Sequence, residues 1–137
     1  MPGLGRRSLL AAATGVAIAS AVGVGVFPAA KEACAAPKMS FADDVMPIFR
    51  GRCIGCHQAG GQGFEKSGLD LSNYAGVMKG TKNGPMVIPG DAQSSNLMWL
   101  LDWRASPELR MPHGKKKLST CDRDAIRSWI NEGAKDN

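Results

Sequence analysis

Four stretches of the chain repeat apolar side chains at helical spacing, separated by runs rich in Gly, Pro and charge. In the first, Phe41, Val45, Ile48 and Phe49 form a stripe that predicts a helix over residues 40–52. Ser40 suits its N-cap, and Asp43 and Asp44 suit its positive first turn. Pro47 conflicts with this pattern. Its ring clashes with the carbonyl four residues back, so a kink, or a start closer to Pro47, is expected. Leu69, Leu71, Tyr74, Val77 and Met78 predict a short helix beginning near Ser72. Ser94 or Ser95 then caps a helix running to about Trp103, with Leu97, Leu100 and Leu101 on one side. The final helix opens at Ser119 or Thr120, carries Ala125, Ile126, Trp129 and Ile130, and stops at Gly133. No segment sustains a period of two. The expectation is an all-α domain whose long loops, at 58–70, 80–90 and 104–118, wrap around something.

Ahead of these elements, Arg6 and Arg7 precede Leu9 to Phe27, an uncharged run rich in Ala, Val and Gly. Small residues ending in Ala33-Cys34-Ala35 follow. Residues 1–35 therefore read as a secretory signal peptide cut after Ala35, and residues 36–137 as an exported, periplasmic domain. The apolar run approaches the roughly 20 residues that cross a bilayer, so membrane association follows only if residues 9–27 are retained as an anchor. Arg6-Arg7-Ser8-Leu9-Leu10 resembles a twin-arginine export signal, although Gly5 stands where that signal prefers Ser or Thr. Lys31 argues against Cys34 as a lipoprotein site.

A domain of roughly 100 residues can build one core, but a thin one. With four Phe, three Trp and one Tyr in 137 residues, a large apolar cofactor would supply much of what the side chains cannot. The net charge of +5 falls to +3 over residues 36–137, which hold 14 Lys and Arg against 11 Asp and Glu. That excess is spread along the chain, whereas a nucleic-acid binder concentrates it in a stripe, so no nucleic-acid partner is expected.

Cys53-Ile54-Gly55-Cys56-His57 is a C-x-x-C-H haem-attachment sequence. Two thiols three residues apart on a helical turn match the separation of the haem vinyl groups, and His57 then comes beneath the iron as an axial ligand. A thioredoxin-like pair follows a strand and has no use for the histidine. A zinc site would have to recruit further ligands from Cys34, His113 and Cys121. One covalent haem c, held by Cys53, Cys56 and His57, is the expectation.

Six methionines follow the export segment. Met39 and Met46 precede the haem motif, and Met78 and Met98 sit in apolar helical patterns. Met86 and Met111 lie in Pro-containing loops that can bring a thioether over iron. Met111 is favoured as the second axial ligand because Pro112 stiffens the loop and removes a backbone donor beside the sulfur. His113, Met86 and an open iron position are the alternatives.

The ordered set of motifs resembles class I c-type cytochromes, and within them the single-haem, planctomycete-type cytochrome c domain. The matching stretches are Val45-Met46-Pro47-Ile48-Phe49, the C-x-x-C-H motif, Gly68-Leu69-Asp70-Leu71 and Tyr74. Further matches are Val87-Ile88-Pro89-Gly90-Asp91 with Ser95, Leu97 and Met98, then Met111-Pro112, and finally Ile126, Trp129-Ile130 and Glu132-Gly133-Ala134. The resemblance implies that the first and last helices cross beside the haem, that His57 ligates one face, and that the methionine of Met111-Pro112 ligates the other. It also implies an aromatic contact between the first and last helices, here Phe49 against Trp129. Cys121 and the lysine run after His113 depart from the pattern.

With both axial positions filled, the iron exchanges electrons and has no position for substrate, and Met/His ligation raises its potential. The expectation is therefore an electron carrier, not an enzyme, acting in a respiratory chain between redox-protein donors and acceptors. The alternatives are a cytochrome subunit bound to a dehydrogenase or oxidase, and a haem enzyme or sensor with an open iron. Lys115, Lys116 and Lys117 are candidates for partner docking, with a solvated loop as the plainer reading. Tyr74, Trp99, Trp103, Arg104 and Arg110 are candidate donors to the haem propionates. Cys121 is expected as a free thiol, the other reading being a bond to Cys34.

Overall fold

Pro47 decides how the first helix is wound. In the computed structural model, which describes residues 38–137, the chain enters through a π-helical turn, Phe41–Val45, and continues as α1, Met46–Arg52. Within the turn, Val45 N–H donates to the Ser40 carbonyl and Met46 N–H to the Phe41 carbonyl, each five residues back. This wider winding precedes Pro47, which then lies in the first turn of α1, where an absent N–H costs nothing. Ser40 caps the start by accepting from Asp43 N–H at 3.1 Å. The expected conflict is thus resolved by a change of winding at the proline. The expected leader, its cleavage point and Cys34 lie outside the described residues.

The remaining helices are α2 (Gln62–Ser67), α3 (Tyr74–Lys79), α4 (Asn96–Leu101) and α5 (Thr120–Asn131), with a 3₁₀ turn at Pro107–Leu109. Among the described residues there is no strand, only a lone bridge between Thr81 and Gly84. The all-α expectation holds. α2 corrects the loop expected at 58–70: Gly61 and Gly63, helix-breaking by composition, sit at or inside its first turn, and Gly68 ends it in the left-handed region. α4 stops at Leu101, short of Trp103. Its cap position also behaves differently from expectation, because Ser95 is buried and its hydroxyl serves the preceding loop. It accepts from Ile88 N–H at 2.8 Å and donates to the Asp91 carbonyl at 2.7 Å.

The first and last helical segments meet through aromatic rings. Phe41 lies 5.3 Å from Trp129, 5.2 Å from Tyr74 and 6.5 Å from Phe49 between centroids. Phe49 against Trp129 is therefore corrected: both are buried, but Phe41 stands between them because the π-helical turn carries it inward. Polar ties reinforce the join. Ala42 N–H donates to the Asn137 carbonyl at 2.9 Å, and Met39 N–H to Glu132 Oε2 at 2.8 Å. The first satisfies a backbone donor that a helix start leaves without an intrahelical partner, and the second ties down the residue before the cap. Among the described residues no helix is long and apolar enough to cross a membrane.

A charge cluster pins the end of α4 to α5. Asp102 accepts from Arg123 at 2.9 Å and from Arg127 at 2.8 Å, with its side chain only 17% exposed, and Arg127 also pairs with Asp124. Burial alone would raise the Asp102 carboxyl pKa. The hydrogen bonds and charges of Arg127 and Arg123 outweigh burial and hold it below its ordinary value. A depressed carboxylate contributes stability above its unfolded-state pKa, and that contribution is lost as pH falls through the folded value. Asp102→Asn should therefore cost about 1.5–3 kcal/mol at pH 7, the range for hydrogen bonds to charged groups. The gap from the wild type should narrow below about pH 4, as followed by urea unfolding at several pH values. A gap independent of pH would refute the ionic account.

Candidate haem site

The end of α1 delivers the C-x-x-C-H motif as a tight turn. Cys53 N–H donates to the Phe49 carbonyl at 2.8 Å, and Cys56 and His57 N–H both donate to the Cys53 carbonyl, at 3.1 and 3.0 Å. The following segments brace it: Phe64 N–H of α2 binds the Cys56 carbonyl at 2.9 Å, and Leu71 N–H binds the His57 carbonyl at 2.8 Å. α2, missed in the sequence, is thus what fixes the outer side of the motif.

Cys53, Cys56 and His57 line one cavity of about 440 Å³, together with Phe49, Leu69, Leu71, Leu97, Leu100 and Leu101. Met111 lines the same cavity, as do the rival ligands Met86 and His113. Met86 is buried, Met111 half-buried and His113 exposed. Cys53 and Cys56 are free thiols, and burial pushes the Cys53 thiol up to about 11 against the opposing charges of Arg52 and Lys115. The His57 ring is fitted closely: a Cβ on Gly63 would come within 2.7 Å of its Cε1, so a side chain there would displace the imidazole. Burial lowers the His57 pKa, partly offset by the Leu69 backbone, and Nδ1 is buried without a well-formed hydrogen bond.

The expected propionate donors are arranged otherwise. Tyr74 donates its hydroxyl to the Ala134 carbonyl at 2.9 Å, and Trp103 Nε1 donates to the Met111 carbonyl at 2.9 Å. Trp99 is exposed under the Arg104 guanidinium, 4.4 Å from its ring centroid, and Arg110 Nε donates to the Ala105 carbonyl at 3.2 Å. None of the five lines the cavity. The cations that do are Arg52, Lys66 and Lys115, all exposed, accompanied by exposed His113 and Glu108. Arg52 was recognisable only as the neighbour of Cys53, and Lys66 gave no signal because α2 gave none. Lys117 is tied back onto the fold, its Nζ donating to the Asp102 carbonyl at 2.7 Å. Cys121 is corrected too. It is disulfide-bonded, not a free thiol, at the exposed first turn of α5.

An all-helical domain that folds a C-x-x-C-H turn into the wall of an apolar cavity is the architecture of a c-type cytochrome. Residues 53–113 match the family model described as Planctomycete cytochrome C, and the chain carries a planctomycete-type cytochrome c domain. Among solved structures, hydrazine synthase of Kuenenia stuttgartiensis is similar in fold, with a TM-score of 0.50 and 21% identity over 70% of this chain. The chain spans 16% of that much longer chain. No curated protein matches.

The family implies a covalent haem c, and the residues present suit one. The cavity volume falls in the roughly 300–1,000 Å³ range of sites for sizeable ligands. Its walls are largely aliphatic, two free thiols border it, and the half-buried imidazole of His57 lies against it.

Proposed function

We propose that this chain is an exported mono-haem cytochrome c that passes single electrons between redox proteins in the periplasm, with His57 and Met111 as the axial ligands. The observation carrying this reading is that His57 and Met111, 54 positions apart, line the same apolar cavity as both attachment cysteines. When bound, the haem supplies a one-electron iron couple. Cys53 and Cys56 would hold it covalently, the His57 imidazole and the Met111 thioether would ligate its iron, and the aliphatic walls would exclude water.

Among the rival ligands, His113 borders the same cavity but is exposed to solvent, where Met111 is half-buried. Met86 is a buried member of the hydrophobic core, the usual place of a gap-filling methionine. Partner docking falls to Lys115 and Lys116, joined by Arg52 and Lys66 at the cavity rim. Attachment to a larger oxidoreductase is the second reading, favoured by the occurrence of this fold within the far longer chain of a protein named as a synthase.

The near-infrared sulfur-to-iron band of the oxidised protein tests the ligand set. Met111→Ala should abolish the band and let carbon monoxide bind the reduced protein rapidly, while Met86→Leu and His113→Ala should retain the wild-type behaviour. Loss of the band in Met86→Leu, or its survival in Met111→Ala, would overturn the assignment.

A further inference from the structure

Trp103 occupies a backbone position that a tryptophan does not ordinarily take. Its φ is +60°, and it lies just beyond the C-cap of α4. There Trp103 N–H donates to the Leu100 carbonyl at 3.2 Å and Arg104 N–H to the Trp99 carbonyl at 3.1 Å. These two bonds are the pattern of a Schellman ending, in which the left-handed residue is usually glycine because a Cβ is disfavoured there. A bulky aromatic side chain at such a position is a genuine outlier, and outliers of this kind persist where surrounding contacts over-determine them. The question is what the indole does that glycine would not.

The indole does one specific thing: Nε1–H donates to the Met111 carbonyl at 2.9 Å. Met111 N–H donates in turn to the Leu100 carbonyl, at 3.3 Å, the same oxygen that receives Trp103 N–H. Both backbone polar groups of Met111 are therefore tied to the end of α4 and the turn just beyond it. Pro112, which follows, has no N–H with which to add a third tie. The indole is itself held, with the Arg110 guanidinium 5.6 Å and the Lys117 ammonium 5.8 Å from its ring centroid. Lys117 Nζ also donates to the Asp102 carbonyl, closing the arrangement on the residue before Trp103.

We propose that Trp103 is a positioning residue for the distal haem ligand: its indole clamps the Met111 main chain so that the thioether stays over the cavity instead of swinging out with the 104–118 loop. This rests on the reading of Met111 as ligand. It assigns to a strained turn outside the cavity the task of keeping that ligand bound. Oxidised iron loses a thioether readily to a stronger donor, so the backbone that carries the thioether determines how easily the exchange occurs.

The test uses the full-length protein with its haem attached. Trp103→Phe keeps a ring and removes the N–H, while Trp103→Gly relieves the left-handed backbone and removes the indole. Both should weaken the near-infrared sulfur band and should bind added imidazole roughly two- to tenfold more tightly than wild type, the factor set by one hydrogen bond. Thermal unfolding should separate the two, with the glycine variant recovering stability that the phenylalanine variant loses. If both variants keep the wild-type band and imidazole affinity while Met111→Ala loses the band, the clamp is refuted and the ligand reading stands. If Met111→Ala keeps the band, both fall.

Discussion

The chain with both Cys53 and Cys56 exchanged for alanine should retain no haem on a denaturing gel and should show an intact mass lacking the haem increment. Each single exchange should keep haem on the remaining thioether. The effect on folding should be as large as the effect on colour. The cavity of about 440 Å³ is bordered on its inner side by Phe49, Leu69, Leu71, Leu97 and Leu101, all of them core residues. Left unfilled, that space deprives these core side chains of their apolar contacts, a serious loss for a domain whose whole stability is typically roughly 5–15 kcal/mol. The double variant should therefore be recovered mostly unfolded or proteolysed, and covalent haem on it would refute the attachment site.

Trp129→Ala should be the most damaging single exchange away from the cavity. Trp129 is 1% exposed, packs on Phe41 and Tyr74, and donates Nε1–H to the Lys135 carbonyl at 2.8 Å. Truncation of a buried aromatic costs about 3–5 kcal/mol. In a domain of this size each kcal/mol lowers the melting temperature by about 4–8 °C. Trp129→Phe keeps most of the packing and loses the hydrogen bond, so it should cost nearer 1 kcal/mol. Near-equal losses in the two variants would mean that the hydrogen bond to Lys135, and not the ring cluster, carries the stabilisation.

Most of the fold was legible because helices announce themselves through apolar spacing. The stripes at Phe41 to Phe49 and at Ala125 to Ile130 lie on real helices, and the caps at Ser40 and Ser119 are used as such. α2 was not legible, because support comes to it from outside: its Phe64 N–H is satisfied by the Cys56 carbonyl, and its sequence, with Gly63 inside it, has weak helix propensity. Nor was the aromatic pairing. The π-helical turn ahead of Pro47 sets Phe41, not Phe49, against Trp129.

By itself the sequence determined the helical class and the attachment motif, since both depend on residues within a few positions of one another. It also narrowed the distal ligand to Met111, Met86 and His113. Only the tertiary structure decided which distant residues share the cavity: Arg52, Lys66 and Lys115 at its rim, Lys117 drawn away to Asp102, and Trp103 spent on the Met111 carbonyl, not on a propionate. The physical reason is that a side chain's direction and hydrogen-bond partner are set by the backbone beneath it. At Trp103 that backbone is left-handed, a conformation that no propensity for tryptophan would foretell.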